Sequence, residues 1–443
     1  MKPHHILLLF LLLPLLQIQS QPSDPCSGRR IHIRSLPPRF NTDLLLNCSV
    51  YTPFTGDLCP LITNHGLGPK THTRSKSWFR TDPHLLELLF HHRLLEYPCL
   101  SSPSAADAVF LPYYAALDSL RYLFGPDVNF SSSHGLHLFD HLTHNDPHHL
   151  WSRNSGHDHF LVMARPAWDF SQSPDADPPI WGTSFLTVPE FFNVTALTFE
   201  SRPWPWQEHA VPYPTSFHPA TVVRLESWLA RVRRSRRTSL MMFAGGGGSI
   251  GAVNSPPNVR RSIRVECENG SGTAWEGYAR VCEFVDCSDG VCEHDPIRFM
   301  KPMLRASFCL QPPGDTPTRK STFDSIVAGC IPVFFEEASA KAQFGWHLPE
   351  MDFEEFSVLV PKEEVVANGL SITEVLMGIP EERVRRMRER LIEMVPRVIY
   401  RRHGSSAELR ERKDAFDLTV EGVLGKIKER LRGLREEGEA SVV

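Results

Sequence analysis

Residues Ser307–Phe335, SFCLQPPGDTPTRKSTFDSIVAGCIPVFF, constrain this chain more than any other stretch. The apolar run Ala306–Leu310 predicts a strand, Ser321–Ala328 a helix and Ile331–Phe335 a second strand. A polar turn holding Gly314, Asp315, Thr316, Thr318, Arg319 and Lys320 joins the first strand to the helix. Strand, crossover helix and strand imply an α/β layer with a parallel sheet, whose ligands meet the carboxyl ends of the strands. Ser321 is a good N-cap for the helix. A helix N-terminus beside Arg and Lys is an anion site, and a diphosphate fits it. Asp324 sits about one turn inside the helix, where it could reach a pair of sugar hydroxyls. The blander alternative is a capped helix with solvated charges.

The same alternation extends along the chain. Ile31–Ile33, Ala108–Pro112 and His159–Ala164 read as strands, and Asp82–Glu96 as an amphipathic helix with Leu85, Leu86, Leu88, Leu89 and Leu95 on its apolar face. The character changes near residue 235: the basic run Arg231–Arg237 is followed by an apolar strand, Ser239–Ala244, and by Gly245–Gly248. The chain has 443 residues. Single cores rarely grow past about 250–300 residues, so two domains are expected. We divide them as 21–228 and 229–400, with the boundary between 220 and 238, and follow them with a charged helical tail, 401–443. The tail helices, Glu381–Val395 and Lys413–Leu434, read as solvated faces. With 41% hydrophobic and 22% charged residues the chain is an ordinary globular protein, and a net charge of -4 gives nucleic acid no basic surface.

Several features suit the secretory route. Lys2, His4 and His5 precede the apolar run Ile6–Leu16, and Ser20 is a small residue at a cleavage point. Spanning a bilayer takes about 20 apolar residues, so residues 1–20 read as a cleaved signal peptide or a short signal-anchor. Four Asn-x-Ser/Thr triplets begin at Asn47, Asn129, Asn193 and Asn269. The ten cysteines then imply disulfides. Cys48 with Cys59, and Cys287 with Cys292, are near enough to close small loops; the full pairing is not readable. Zinc on Cys282, Cys287 and Cys292 is a poor reading, because no C-x2-C knuckle is present.

Three patterns have two readings each. Gly246-x-Gly248-x-x-Gly251 matches the dinucleotide fingerprint literally, but Asn254-Ser255-Pro256-Pro257 follows where a helix should open. Gly245 and its neighbours either let the backbone approach a ligand or form an ordinary surface loop. His137, His141, His144 and His148 share a helical face, which suits either a transition metal or a polar surface that gains charge in mild acid. Trp204 and Trp206 lie in a proline-rich stretch and read either as sugar-stacking platforms or as core.

The 307–335 run resembles the nucleotide-sugar motif of exostosin-like plant glycosyltransferases, closest to the xyloglucan galactosyltransferase branch. Asp158–Val162 with Trp168–Phe170, Val211–Pro214 with Phe217–Pro219, Trp346–Pro349, and Val395–Tyr400 with Lys413–Asp417 resemble it too, from about Cys26 to about Ile427. The resemblance implies an α/β, GT-B-like fold: two Rossmann-like domains facing a central cleft, with the donor on the second. It implies inverting transfer of galactose from UDP-galactose to xylosyl side chains of xyloglucan, without a bound metal or other cofactor. Arg319, Lys320 and Ser321 would hold the diphosphate beside the Gly245 loop, and Asp324 the donor hydroxyls. Cations and helix amides would then stabilise the leaving UDP. Asp158, His159 and Glu208 are the candidates for the base, and the match does not choose among them. Trp204 and Trp206 are the candidates for acceptor contact. The alternatives are a galacturonate or pentose donor, or a silent carbohydrate-binding protein. The implied location is the Golgi lumen, soluble or as a single-pass type II membrane protein, alone or with other cell-wall glycosyltransferases.

Overall fold

The computed structural model describes residues 24–440 apart from 47, 51–56, 72–75, 176–180, 204–206, 247–257, 271–276, 288–291 and 293–294. The segment 1–20, the triplet at Asn47, Trp204, Trp206 and the glycines Gly247, Gly248 and Gly251 therefore lie outside the described residues.

Two five-stranded parallel sheets organise the chain. The first holds β1 (Ile31–Ile33), β2 (Ala108–Phe110), β3 (His159–Val162), β4 (Thr195–Thr198) and β5 (Glu208–Ala210), side by side in chain order. Every residue of β2, β3 and β4 is buried, as expected of parallel strands covered on both faces. The second sheet holds β6 (Ser239–Gly245), β7 (Arg280–Asp286), β8 (Ala306–Gln311), β9 (Ile331–Phe334) and β10 (Val358–Leu359), in the order β10-β9-β8-β6-β7. The winding reverses between β6 and β8. Their carboxyl ends therefore frame a crevice, the usual ligand position in such sheets. The expected pair of Rossmann-like α/β domains is present.

Helix α1 (Leu86–Leu94) follows a 3-10 turn at Pro83–Leu85. It is not amphipathic, because both its faces are covered. Phe90 meets Phe110 of the sheet at 5.8 Å and Phe416 of the C-terminal helix at 4.7 Å. Its polar members find internal partners: Arg93 donates to the Arg401 carbonyl and to Asp414, both at 2.9 Å. Helices α2 (Ala115–Leu123) and α3 (Leu136–His144) complete this part. His148 has left the α3 face, with φ at +67° outside the helix. Among the described residues no three His, Cys, Asp or Glu side chains converge on a metal position.

Helix α4 (Val222–Arg234) opens the second domain earlier than the 229 start expected from sequence: Leu225, Trp228, Leu229 and Val232 pack with Phe323, Ile326, Leu391 and Val395 in that core. Helices α5 (Val259–Gly270), α6 (Pro296–Arg305), α7 (Lys320–Val327) and α8 (Glu381–Val398) surround the second sheet. The tail is not simply a solvated face. Helix α9 (Ala415–Ala440) returns to the first domain, where Phe416, Val420, Val423, Leu424 and Ile427 join its core.

All ten cysteines are paired: Cys26–Cys99, Cys48–Cys59, Cys267–Cys282, Cys287–Cys292 and Cys309–Cys330. The two short loops close as their spacing suggested. Cys282, Cys287 and Cys292 are thus all engaged in disulfides.

Candidate active site

A cavity of about 780 Å³ lies between the domains. The second domain contributes Ala244 at the end of β6, Phe299 and Met303 of α6, and Arg319, Lys320, Ser321 and Asp324 around the start of α7. The first domain contributes Thr81 to His84, the opening turn of α2 and Arg165 after β3. The expected donor residues of the β8–α7 segment therefore share one wall, at the carboxyl ends of the second sheet.

Helix α7 starts one residue earlier than its sequence suggests. Arg319 occupies the cap position in extended backbone and supplies no side-chain cap. Ser321 donates its hydroxyl to Gln311 Oε1 instead of capping. The first amides of α7 thus carry no side-chain cap, leaving a positive helix end beside the cleft.

Two guanidiniums stand at this end. A Cβ built on Gly314 would lie 1.7 Å from Arg319 Nη2 and 2.8 Å from Arg260 Nη2, so both cations close over that glycine. Burial lowers the proton affinity of both, and for Arg260 the neighbouring charge of Arg319 lowers it further. An anion would relieve that crowding. Sequence reasoning missed Arg260; its signal is a basic pair, Arg260 and Arg261, opening the helix after the glycine run.

Asp324 is only 3% exposed. Its Oδ2 accepts from Lys320 Nζ at 2.8 Å, while its Oδ1 is buried with no partner among the described residues. Burial raises the pKa of this carboxyl, and Lys320 opposes the rise. An orphaned acceptor in a cleft wall is a place for a ligand hydroxyl. Gly245 ends β6 at the crevice, its carbonyl accepting the Cys287 amide at 3.1 Å. The turn before α7 is tied to the first domain: the Thr318 amide donates to Glu200 Oε2 at 2.7 Å, and its hydroxyl meets Tyr213 Oη at 3.0 Å.

None of the three expected bases lines this cavity. Asp158 and His159 sit at the entry of β3, whereas the cleft lies past its exit, where Arg165 is. Asp158 is buried against Arg153, Asn154 and His159. Burial would raise its pKa, but these partners hold it below the ordinary value, which suits a structural anion. His159 is enclosed beside Trp151. Glu208 opens β5 rather than lying in a loop, fully buried and gripped by both arms of Arg202.

The first-domain wall offers other groups. Asp82 caps the turn ahead of α1, accepting the His84 amide at 2.8 Å, and the same oxygen meets His84 Nδ1 at 2.9 Å. Burial would raise the Asp82 pKa, yet His84 and the charge of Lys320 keep it below its ordinary value. Trp181 is 55% exposed; its ring stands 5.3 Å from Phe124, which lines the cleft. Its indole donates to Asp169, which pairs with Arg165.

A family model described as the exostosin GT47 domain matches residues 25–376. The probable xyloglucan galactosyltransferase GT19 of Arabidopsis thaliana is 65% identical over 412 residues, covering 93% of this chain and 93% of that protein. The xyloglucan galactosyltransferase MUR3 of the same plant is 36% identical over 91% of this chain and 63% of its own length. The Arabidopsis xyloglucan-specific galacturonosyltransferase 1 is 35% identical over 91% of this chain and 58% of its own length.

Proposed function

This chain belongs to the exostosin GT47 family, and on that premise we propose that it transfers galactose from UDP-galactose to xylosyl side chains of xyloglucan. The observation that carries the substrate is the 65% identity, nearly end to end, with a probable xyloglucan galactosyltransferase. The cleft supplies a mechanism. The acceptor oxygen attacks the anomeric carbon of the donor from the face opposite the leaving group, and the carbon–oxygen bond to the diphosphate breaks with inversion. The departing UDP takes the electron pair. Arg260, Arg319 and the amides opening α7 stand ready to bear that charge. Lys320 exchanges Asp324 for a phosphate oxygen, and Asp324 accepts from a donor hydroxyl. With three cations for this task, the transfer proceeds without a metal. Trp181, exposed beside the cleft, stacks on an acceptor sugar.

The same reading puts the enzyme in the Golgi lumen, with residues 1–20 as signal or type II anchor. The five disulfides fit an oxidising compartment, and Asn129 and Asn269 are exposed. Among the described residues no helix is long and apolar enough to cross a membrane.

A donor screen tests the proposal. Residues 21–443, expressed in a secretory host, are incubated with xyloglucan oligosaccharides bearing bare xylose and a panel of UDP-sugars, with and without EDTA. A hexose gain with UDP-galactose, unchanged by EDTA, is expected by mass. A gain only with UDP-galacturonate or a UDP-pentose would replace the donor, and loss in EDTA would replace the metal-free step.

A further inference from the structure

The geometry points to His84 as the base that takes the proton from the acceptor hydroxyl, with Asp82 as the residue that positions it. The inference rests on the glycosyl-transfer reading but not on which sugar is moved. An inverting transfer needs an acceptor of that proton within reach of the attacking oxygen. Two of the carboxylates in the cleft wall are engaged elsewhere: Asp324 with Lys320 on the donor side, and Asp57 with the Cys59 amide. Asp82 has one oxygen occupied twice by His84. His84 remains.

Its two nitrogens are in different situations. A carboxylate only accepts, so the 2.9 Å contact to Asp82 puts the proton of neutral His84 on Nδ1. Nε2 then carries the lone pair. The side chain is 44% exposed and lines the cleft, so that nitrogen is open to a ligand. A base oriented by a third group is the arrangement that activates hydroxyl nucleophiles in unrelated enzymes.

The dyad also stands opposite the donor loop. The imidazole meets the Phe199 ring at 6.5 Å, Phe199 stacks on Tyr213 at 4.2 Å, and Tyr213 Oη touches Thr318, next to Arg319. Lys320 is close enough for its charge to lower the pKa of Asp82. As the acceptor oxygen bonds to the anomeric carbon and UDP leaves with the electron pair, the hydroxyl proton passes to Nε2. The imidazolium pairs with Asp82 until it releases the proton to solvent. The charged groups sharing the cleft lining are Asp82 on its own turn, Arg80 before it, Asp57, Arg165 after β3, and Arg319, Lys320 and Asp324 from the second domain.

The test uses His84→Ala and Asp82→Asn in residues 21–443, with wild type assayed beside them on whichever donor the screen identifies. Asn keeps the cap to the His84 amide, so the turn is retained. His84→Ala is expected to lose about 10²–10⁴-fold in kcat, the usual contribution of general-base catalysis, while UDP binding by calorimetry stays within about twofold. Asp82→Asn is expected to lose less, and the loss falls on kcat while acceptor KM stays within about twofold, because the imidazole is then less well oriented toward the hydroxyl. A His84→Ala enzyme keeping more than about a tenth of wild-type kcat would overturn the base while leaving the transferase reading intact. An Asp82→Asn enzyme that keeps wild-type kcat and loses only in acceptor KM would overturn the positioning role. Wild type that binds UDP yet yields no product with any donor would overturn both.

Discussion

Glu87 is 1% exposed in the first domain. Its Oε1 accepts the Ala116 amide at 2.7 Å and the Ala164 amide at 3.2 Å, and Oε2 has no partner among the described residues. Burial pushes this carboxyl up to about 8, against the pull of those amides and of Arg165. An unfolded glutamate titrates near 4.5. Between the two values the native chain holds one more proton than the unfolded chain, so stability falls as pH rises, by up to about 1.4 kcal/mol per unit. The contribution is fully present below the unfolded value and lost as pH climbs through the folded one. Glu87→Gln removes the titration and nearly keeps the shape. Its melting temperature relative to wild type should therefore rise steadily from pH 5 to pH 8; a difference constant with pH would show that Glu87 is not neutral in the fold. Individual residues were legible from sequence where their neighbours in the chain are also their neighbours in space. Arg319 and Asp324 share one strand–turn–helix, so their common wall could be read. Asp82 and His84 reach the cleft from a distant segment, and Arg260 reaches the Gly314 turn from another; nothing local to them announces it. That Asp158 and His159 lie away from the cleft was not legible for another reason: a strand pattern does not say which end of a parallel strand faces the ligand.

In the proposed transfer, donor binding depends on the β8–α7 turn, where a Cβ on Gly314 would collide with two guanidiniums. A methyl group there would overlap the ends of Arg319 and Arg260, which are flexible and can move aside. Gly314→Ala should therefore leave the melting temperature almost unchanged while displacing both cations from the diphosphate position. We expect donor KM to rise about tenfold or more, equivalent to about 1.4 kcal/mol. Steady-state kinetics against UDP-sugar, with acceptor saturating, measure it; an unaltered KM would mean that these guanidiniums do not hold the donor. The element was readable because its apolar runs alternate cleanly with a glycine-bearing turn. Helix α1 shows the opposite case. Its leucines promised one apolar face, but Phe110 and Phe416 cover it from two sides, and Phe416 comes from the far end of the chain. A periodicity argument sees one segment at a time and cannot count the partners that will cover it.

At the scale of the whole molecule, the chain crosses from first domain to second before α4 and returns after α8. The return is fixed by hydrogen bonds as well as by apolar contact. Tyr400 donates its hydroxyl to the Pro212 carbonyl at 2.8 Å, and Asp414 accepts the Arg401 amide at 2.8 Å. Asp414 also accepts Arg93 of α1. Burial would raise the Asp414 pKa, but Arg93 and Arg401 outweigh it and hold the group down to about 2. Asp414→Ala would leave Arg93 buried, only 3% exposed, with a carbonyl and the more distant Asp417 at 3.8 Å in place of its carboxylate. Removing one partner of a buried ion pair costs about 3–5 kcal/mol. The cost should fall on the first domain, since α9 supplies part of its core. Chemical denaturation is therefore expected to show a midpoint shift for Asp414→Ala in the transition that exposes the first domain. Arg93→Met with Asp414→Leu, which removes both charges and keeps the volume, should recover much of the loss. If Asp414→Ala unfolds like wild type, α9 is held by its apolar face alone, and the ion pair at the return is incidental to joining the two domains.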